Sequence, residues 1–220
     1  RSGELLPPPA LSFPATFSPD QQRWIELLES GIFPSQEPLL PPGEWMVQAE
    51  WQKILESYLA TLGSCNWFGW LHLGVMRMEQ GDQEGAKLAW EKSFSLTANA
   101  WAARNLAVLS RQQNNFMGAQ LWYQHAWDLS ANESIPVGLA AECLQNLLDT
   151  GQPESVIERC RMLPEHVHLS DRVLVLEAQA ALQTGLLVRV KTILEHDFAL
   201  IREGELSLTD FWFDYWSQLE

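Results

Sequence analysis

Two stretches of the chain nearly repeat each other. "GAKLAWEKSFSLTAN", starting at Gly85, and "GAQLWYQHAWDLSAN", starting at Gly118, lie 33 residues apart and are identical at six of fifteen positions. Most other positions keep their character, with Trp90 against Tyr123, Ser93 against Ala126 and Phe94 against Trp127. A repeat of this length marks one supersecondary unit that cannot bury its apolar face alone, so that copies stack and share a core. Turn-forming pairs carry the period further, at Gly81-Asp82, Asn114-Asn115, Gly151-Gln152 and Gly185-Leu186, with spacings of 33, 37 and 34. The 37 is a 33-residue unit plus four, about one helical turn, which fits the longer stretch from Pro136 to Thr150. No strand-like alternation appears between the turns. Each unit therefore reads as a helix, a short turn and a second helix.

The flanks read differently. The first 43 residues are rich in proline. Within them Ser18, Pro19 and Gln21 have a capping-box layout, Trp24, Ile25, Leu27 and Leu28 supply an apolar face, and Gly31 ends the helix. "FPSQEPLLPPGEW" is an extended connector, because Pro41 and Pro42 cannot sit inside a helix. Such an arm can bury Trp24, Leu27 and Leu28 only by lying along the helices that follow. From Glu44 to Leu62, apolar residues at Val47, Trp51, Ile54, Leu55, Tyr58, Leu59 and Leu62 predict one amphipathic helix, stopped at Gly63. The expected organisation is an arm over 1–43, a helical array over 44–206 and a terminal helix over 207–220.

Composition excludes several function classes. A net charge of −14 lacks the cationic surface that general nucleic-acid binding needs, and it disfavours anionic membrane surfaces. No apolar run reaches the ~20 residues of a membrane span. Cys65, Cys143 and Cys160 show no CxxC spacing and read as small apolar residues in a reducing compartment, with the cytoplasm as the expected location. A chain opening on Arg1 suggests a processed or excised segment.

Within the repeats, Gly74 and Ala107, with Ala86 and Ala119, lie where paired helices must approach closely. Trp70, Trp90 and Tyr123 are large enough to fill the space opposite. This pattern resembles the tetratricopeptide repeat. In the first unit the matching residues are Trp70, Leu73, Gly74, Gly81, Ala86, Trp90 and Ser93; in the second they are Leu106, Ala107, Ala119, Tyr123 and Ala126. The third and fourth units are degenerate, keeping Ala140, Leu144 and Val156, then Leu174, Ala178, Val190 and Leu194. Ala98 and Ala131 stand where the family usually has a closing proline. The resemblance implies an all-α, right-handed α-α superhelix of about four helix pairs. From Trp51 to Phe213, segments such as "AEWQKILESYLA" and "WAARNLAVL" also resemble the C-terminal part of large bacterial proteins. In those an uncharacterised β-rich domain, of carbohydrate-active character, precedes such repeats.

In that family the first helix of each unit lines a concave face. The register from Gly74 puts Phe68, Leu71, Val75 and Met78 there in the first unit, and Trp101, Arg104, Asn105, Val108 and Arg111 in the second. Arg104 and Arg111, seven apart on one helix face, suit an acidic partner by their forked geometry, or else pair with this chain's own acids. The family's two-lysine clamp for a terminal carboxylate is missing, since Leu71 and Val75 occupy those places. His166 and His168, with Glu165 and Asp171 nearby, supply at most two ligands from an interhelical loop, too few for a metal site. No nucleophile elbow, phosphate-binding loop or HExxH occurs. Neither a catalytic site nor a cofactor is expected.

The last expected surface is "LTDFWFDYWSQLE". Phe211, Trp212, Phe213, Tyr215 and Trp216 cover every side of a short helix, and such a helix must be buried on more than one side. Phe211, Trp212 and Tyr215 are expected to cap the fourth unit. The outward rings would then meet a further segment, another domain or a second copy, giving a homodimer. The sequence therefore reads as a non-catalytic scaffold for protein–protein or domain–domain contact. The alternative is an accessory module of a carbohydrate-active enzyme.

Overall fold

The structure, a computed structural model, describes residues 18–130, 135–198 and 208–219. These residues form twelve helices and no strand. Helix α1 (Pro19–Ser30) opens with the expected capping box: Ser18 Oγ accepts from the Gln21 amide while the Gln21 side chain accepts from the Ser18 amide. It ends on Gly31 at φ 71°, a left-handed position that favours glycine. Helix α2 spans Ala49–Ala60, shorter than the 44–62 expected from periodicity. Residues 44–47 are held in the arm instead, where the Glu44 carbonyl accepts from Trp24 Nε1 at 3.3 Å. Gly63 remains required, because a Cβ there would lie 2.2 Å from the Tyr58 ring.

Four helical hairpins follow: α3 (Trp67–Glu79) with α4 (Gln83–Leu96), α5 (Ala100–Gln112) with α6 (Phe116–Leu129), α7 (Val137–Asp149) with α8 (Pro153–Met162), and α10 (Asp171–Gln183) with α11 (Leu187–Leu194). The turn residues Gly81, Asn114, Gly151 and Gly185 all have positive φ, between 59° and 82°. Each first helix closes with the same pair of bonds, as in Asp82 N to the Arg77 carbonyl and Gly81 N to the Met78 carbonyl. Asn115 and Asn114, Gln152 and Gly151, and Leu186 and Gly185 repeat it. This is a Schellman motif four times over, and it fixes the register that the spacings suggested.

Packing between the paired helices follows side-chain size. A Cβ on Gly74 would sit 2.3 Å from Trp90 Nε1, and that indole is itself tied to the Leu71 carbonyl at 3.2 Å. The second hairpin has Ala107 against the smaller Tyr123, both buried. The core falls into two clusters that meet at α5, which gives Ala102, Leu106 and Leu109 to one and Ala103 and Ala107 to the other. Phe94 and Trp122 pack against both. Trp70, expected inside, is only partly buried and donates to the Ser64 carbonyl. The "LPEHVHLSD" loop contains a helical turn, α9 (Glu165–His168), with Val167 buried. Helix α12 (Leu208–Ser217) packs on α11.

Candidate interaction surfaces

The first helices of the hairpins bring the expected inner-face residues together only in part. Val75, Met78, Arg104, Asn105 and Val108 line one groove of about 260 Å³ between α3 and α5, with Trp45 of the arm as a wall. Phe68 and Leu71, placed on the same open face by sequence, are fully buried. For Phe68 the reason is the arm. Phe33 stacks on Phe68 with ring centroids 5.5 Å apart and planes 10° from parallel. Trp24, Phe33 and Trp45 surround His72 on the next turn of α3, at 5.2, 5.4 and 4.6 Å. The arm thus fills the start of the inner face with its own aromatic rings. Leu27 joins this core as expected, whereas Leu28 points to solvent.

Trp101 reaches the arm as well, donating from Nε1 to the Pro38 carbonyl at 3.2 Å. Asn66, the cap of α3, donates to the Phe33 carbonyl at 2.7 Å while accepting from the Phe68 and Gly69 amides. His72 Nε2 is buried with no partner. Burial lowers its pKa to about 3, with Arg23 adding to the effect. His72 and Asn66 carry no motif. Their role appears only when the arm folds back across the inner face.

The two arginines are occupied. Arg104 forms a forked pair with Glu142 of α7, at 2.8 Å from Nε and 2.5 Å from Nη2. Arg111 bonds Asp149, one further pair of turns along the same two helices. Both pairs span 38 residues, and both partners of each helix lie seven apart. Hydrogen bonding to Glu142 raises the Arg104 pKa. The ladder cross-braces α5 and α7 and neutralises the groove's cations, so the inner face presents little bare positive charge to an acidic ligand. The sequence did hold a signal for this, the matching seven-residue interval between Glu142 and Asp149.

On α12 the rings divide cleanly. Phe211 and Tyr215 are buried, Phe211 against Val175, Ala178, Ile193 and Leu194. Trp212, expected with them, is 47% exposed, Phe213 61% and Trp216 49%. The cause is helical spacing: 211 and 215 share one face, so 212 and 216 share the next. Trp212 lies 5.3 Å from Phe213 and 5.6 Å from Trp216, which makes a continuous aromatic patch extended by exposed Leu219.

The histidine pair does not converge. His166 is exposed, while His168 meets Glu177 at 2.7 Å beside Arg189, which itself forks onto Glu177. Burial disfavours the Glu177 carboxylate, but the bonds from Arg189 and His168 outweigh it and lower its pKa. Among the described residues no group of three or more His, Cys, Asp or Glu is placed to hold a metal ion. Burial pushes the Cys143 and Cys160 thiols up to about 12, far from thiolate reactivity. No helix among the described residues is long and apolar enough to cross a membrane.

Among the described residues the chain is all-helical, a run of hairpins in contact with their neighbours, and residues 24–45 pack on α3 and α5. The chain matches no protein-family model, and no curated protein aligns with it significantly.

Proposed function

We propose that the chain is a non-catalytic scaffold for protein–protein or domain–domain contact, its hairpins wound as a right-handed superhelix of the tetratricopeptide kind. Four identical turns and a helix shared by two cores support the stacking. The observation that carries the function is the exposed patch of Trp212, Phe213 and Trp216. Apolar patches of this kind on a protein surface mark contact sites, and tryptophan is among the residues most enriched at them. We place the contact with a second copy of this chain or a neighbouring domain, in the reducing setting that three free cysteines suit. Sedimentation velocity over a wide concentration range tests it. Concentration-dependent association, abolished by Trp216→Ser, is the expected result. Strictly monomeric behaviour at every concentration would overturn this use of α12.

A further inference from the structure

We propose that the inner face of α3 and α5 is a binding site for a proline-rich peptide, and that residues 33–45 of this chain occupy it as an internal ligand. The segment has neither helix nor strand, turns once where the Leu40 amide donates to the Glu37 carbonyl at 3.1 Å, and carries Pro34, Pro38, Pro41 and Pro42. A proline-rich stretch is extended before it binds and offers carbonyls without matching N–H groups, so docking it orders little that was free. The face it lies on is built to match. Asn66 Nδ2 donates to the Phe33 carbonyl and Trp101 Nε1 to the Pro38 carbonyl. Both donors address main-chain oxygens, so the face recognises the backbone first and side chains second.

Burial along the segment shows which part is exchangeable. Phe33 and Pro42 are buried, whereas between them Leu39 is 66% and Leu40 49% exposed. The middle therefore adds little to the core, and its large apolar side chains face water. Trp45 walls the groove that continues toward Val75 and Met78, so releasing the segment lengthens the open surface. The favoured ligand is uncharged at its contacts, because Arg104 and Arg111 are already paired with Glu142 and Asp149.

This site goes beyond the α12 contact and is separate from it, so Trp216→Ser should leave it unchanged. In the test, residues 34–41 are replaced by a glycine–serine linker of equal length, keeping Phe33 and Pro42 as anchors. Calorimetric titration then compares how a synthetic peptide of residues 34–41, the stretch the linker vacates, binds the linker variant and the unaltered chain. An internal ligand lowers apparent affinity by the fraction of sites it leaves vacant, so the variant should bind about tenfold more tightly or better. Adding Trp101→Phe, which keeps a ring and removes the N–H, should weaken that binding again. Far-UV circular dichroism reports whether the linker variant folds. If it does not, Trp101→Phe in the intact chain supplies the test, by speeding proteolysis within residues 35–40 severalfold while α5 stays protected. Equal binding to both proteins, equal binding of a proline-free peptide, or unchanged proteolysis in the intact Trp101→Phe chain would overturn the proposal.

Discussion

His72 gives the fold a specific sensitivity to acid. Its ring lies 2% exposed within four aromatic neighbours, Phe68 being nearest at 4.5 Å between centroids. Its Nε2 is buried with no partner, so a second ring proton would have nothing to bond. The folded chain therefore keeps the ring neutral down to about pH 3. In the unfolded chain it protonates near ~6.5. Between those values the unfolded state binds the extra proton and the folded state does not, so stability falls as pH falls through this window. Integrated from pH 7.5 to pH 5, the loss is about 2 kcal/mol. His72→Phe removes this dependence. Urea unfolding of both proteins at the two pH values, followed by tryptophan fluorescence, isolates the effect. The other histidines and the carboxylates are common to both chains and cancel in the comparison. The native chain should lose about 2 kcal/mol more than the variant on acidification. Parallel losses, or a His72 ring that titrates near its ordinary value in the folded protein, would refute the reasoning.

Two further outcomes concern the repeat itself. Gly74→Leu should overpack the contact with Trp90 and destabilise by about 1–3 kcal/mol or more; an unchanged melting temperature would place the helix pair wrongly. The milder Gly74→Ala should be rescued in part by Trp90→Tyr, which recreates the Ala107–Tyr123 pairing of the second hairpin. For Arg104 and Glu142, a double-mutant cycle on unfolding free energy should return a coupling of about 1 kcal/mol, the upper end for a partly exposed pair. That coupling should shrink in high salt, and a zero coupling would mean the ladder does not brace α5 on α7.

What the sequence made legible is what depends on local chemistry repeated at fixed intervals. A Schellman turn needs a left-handed residue at one position, so Gly81, Asn114, Gly151 and Gly185 announce themselves whatever surrounds them. A close helix crossing needs a small residue facing a large one, and Gly74 with Trp90 shows both halves in the text of the chain. The capping box before α1 is equally local. The misplaced residues share the opposite property, since their environment is made by a distant segment. Phe68 and Leu71 belong on an open face by register, and nothing within their own helix says that Phe33 will return to cover it. A proline-rich stretch has no periodicity from which its docking position can be read, so Pro38 on Trp101 was invisible.

The arginines mark the boundary between these two cases. Arg104 and Arg111 were legible as a face, because seven residues are two helical turns. Their partners were not, because Glu142 and Asp149 stand among 28 acids, and sequence proximity cannot choose between them. Their shared interval of seven was the discriminating feature, and it has meaning only once α5 and α7 are known to run side by side. The same argument bears on what the inner face can hold. With its cations neutralised from within, an indole and an amide of this face already grip carbonyls of the arm. Acidity of the chain as a whole therefore says little about its ligand. The ligand chemistry is set by these few N–H groups and by the proline-rich segment they hold.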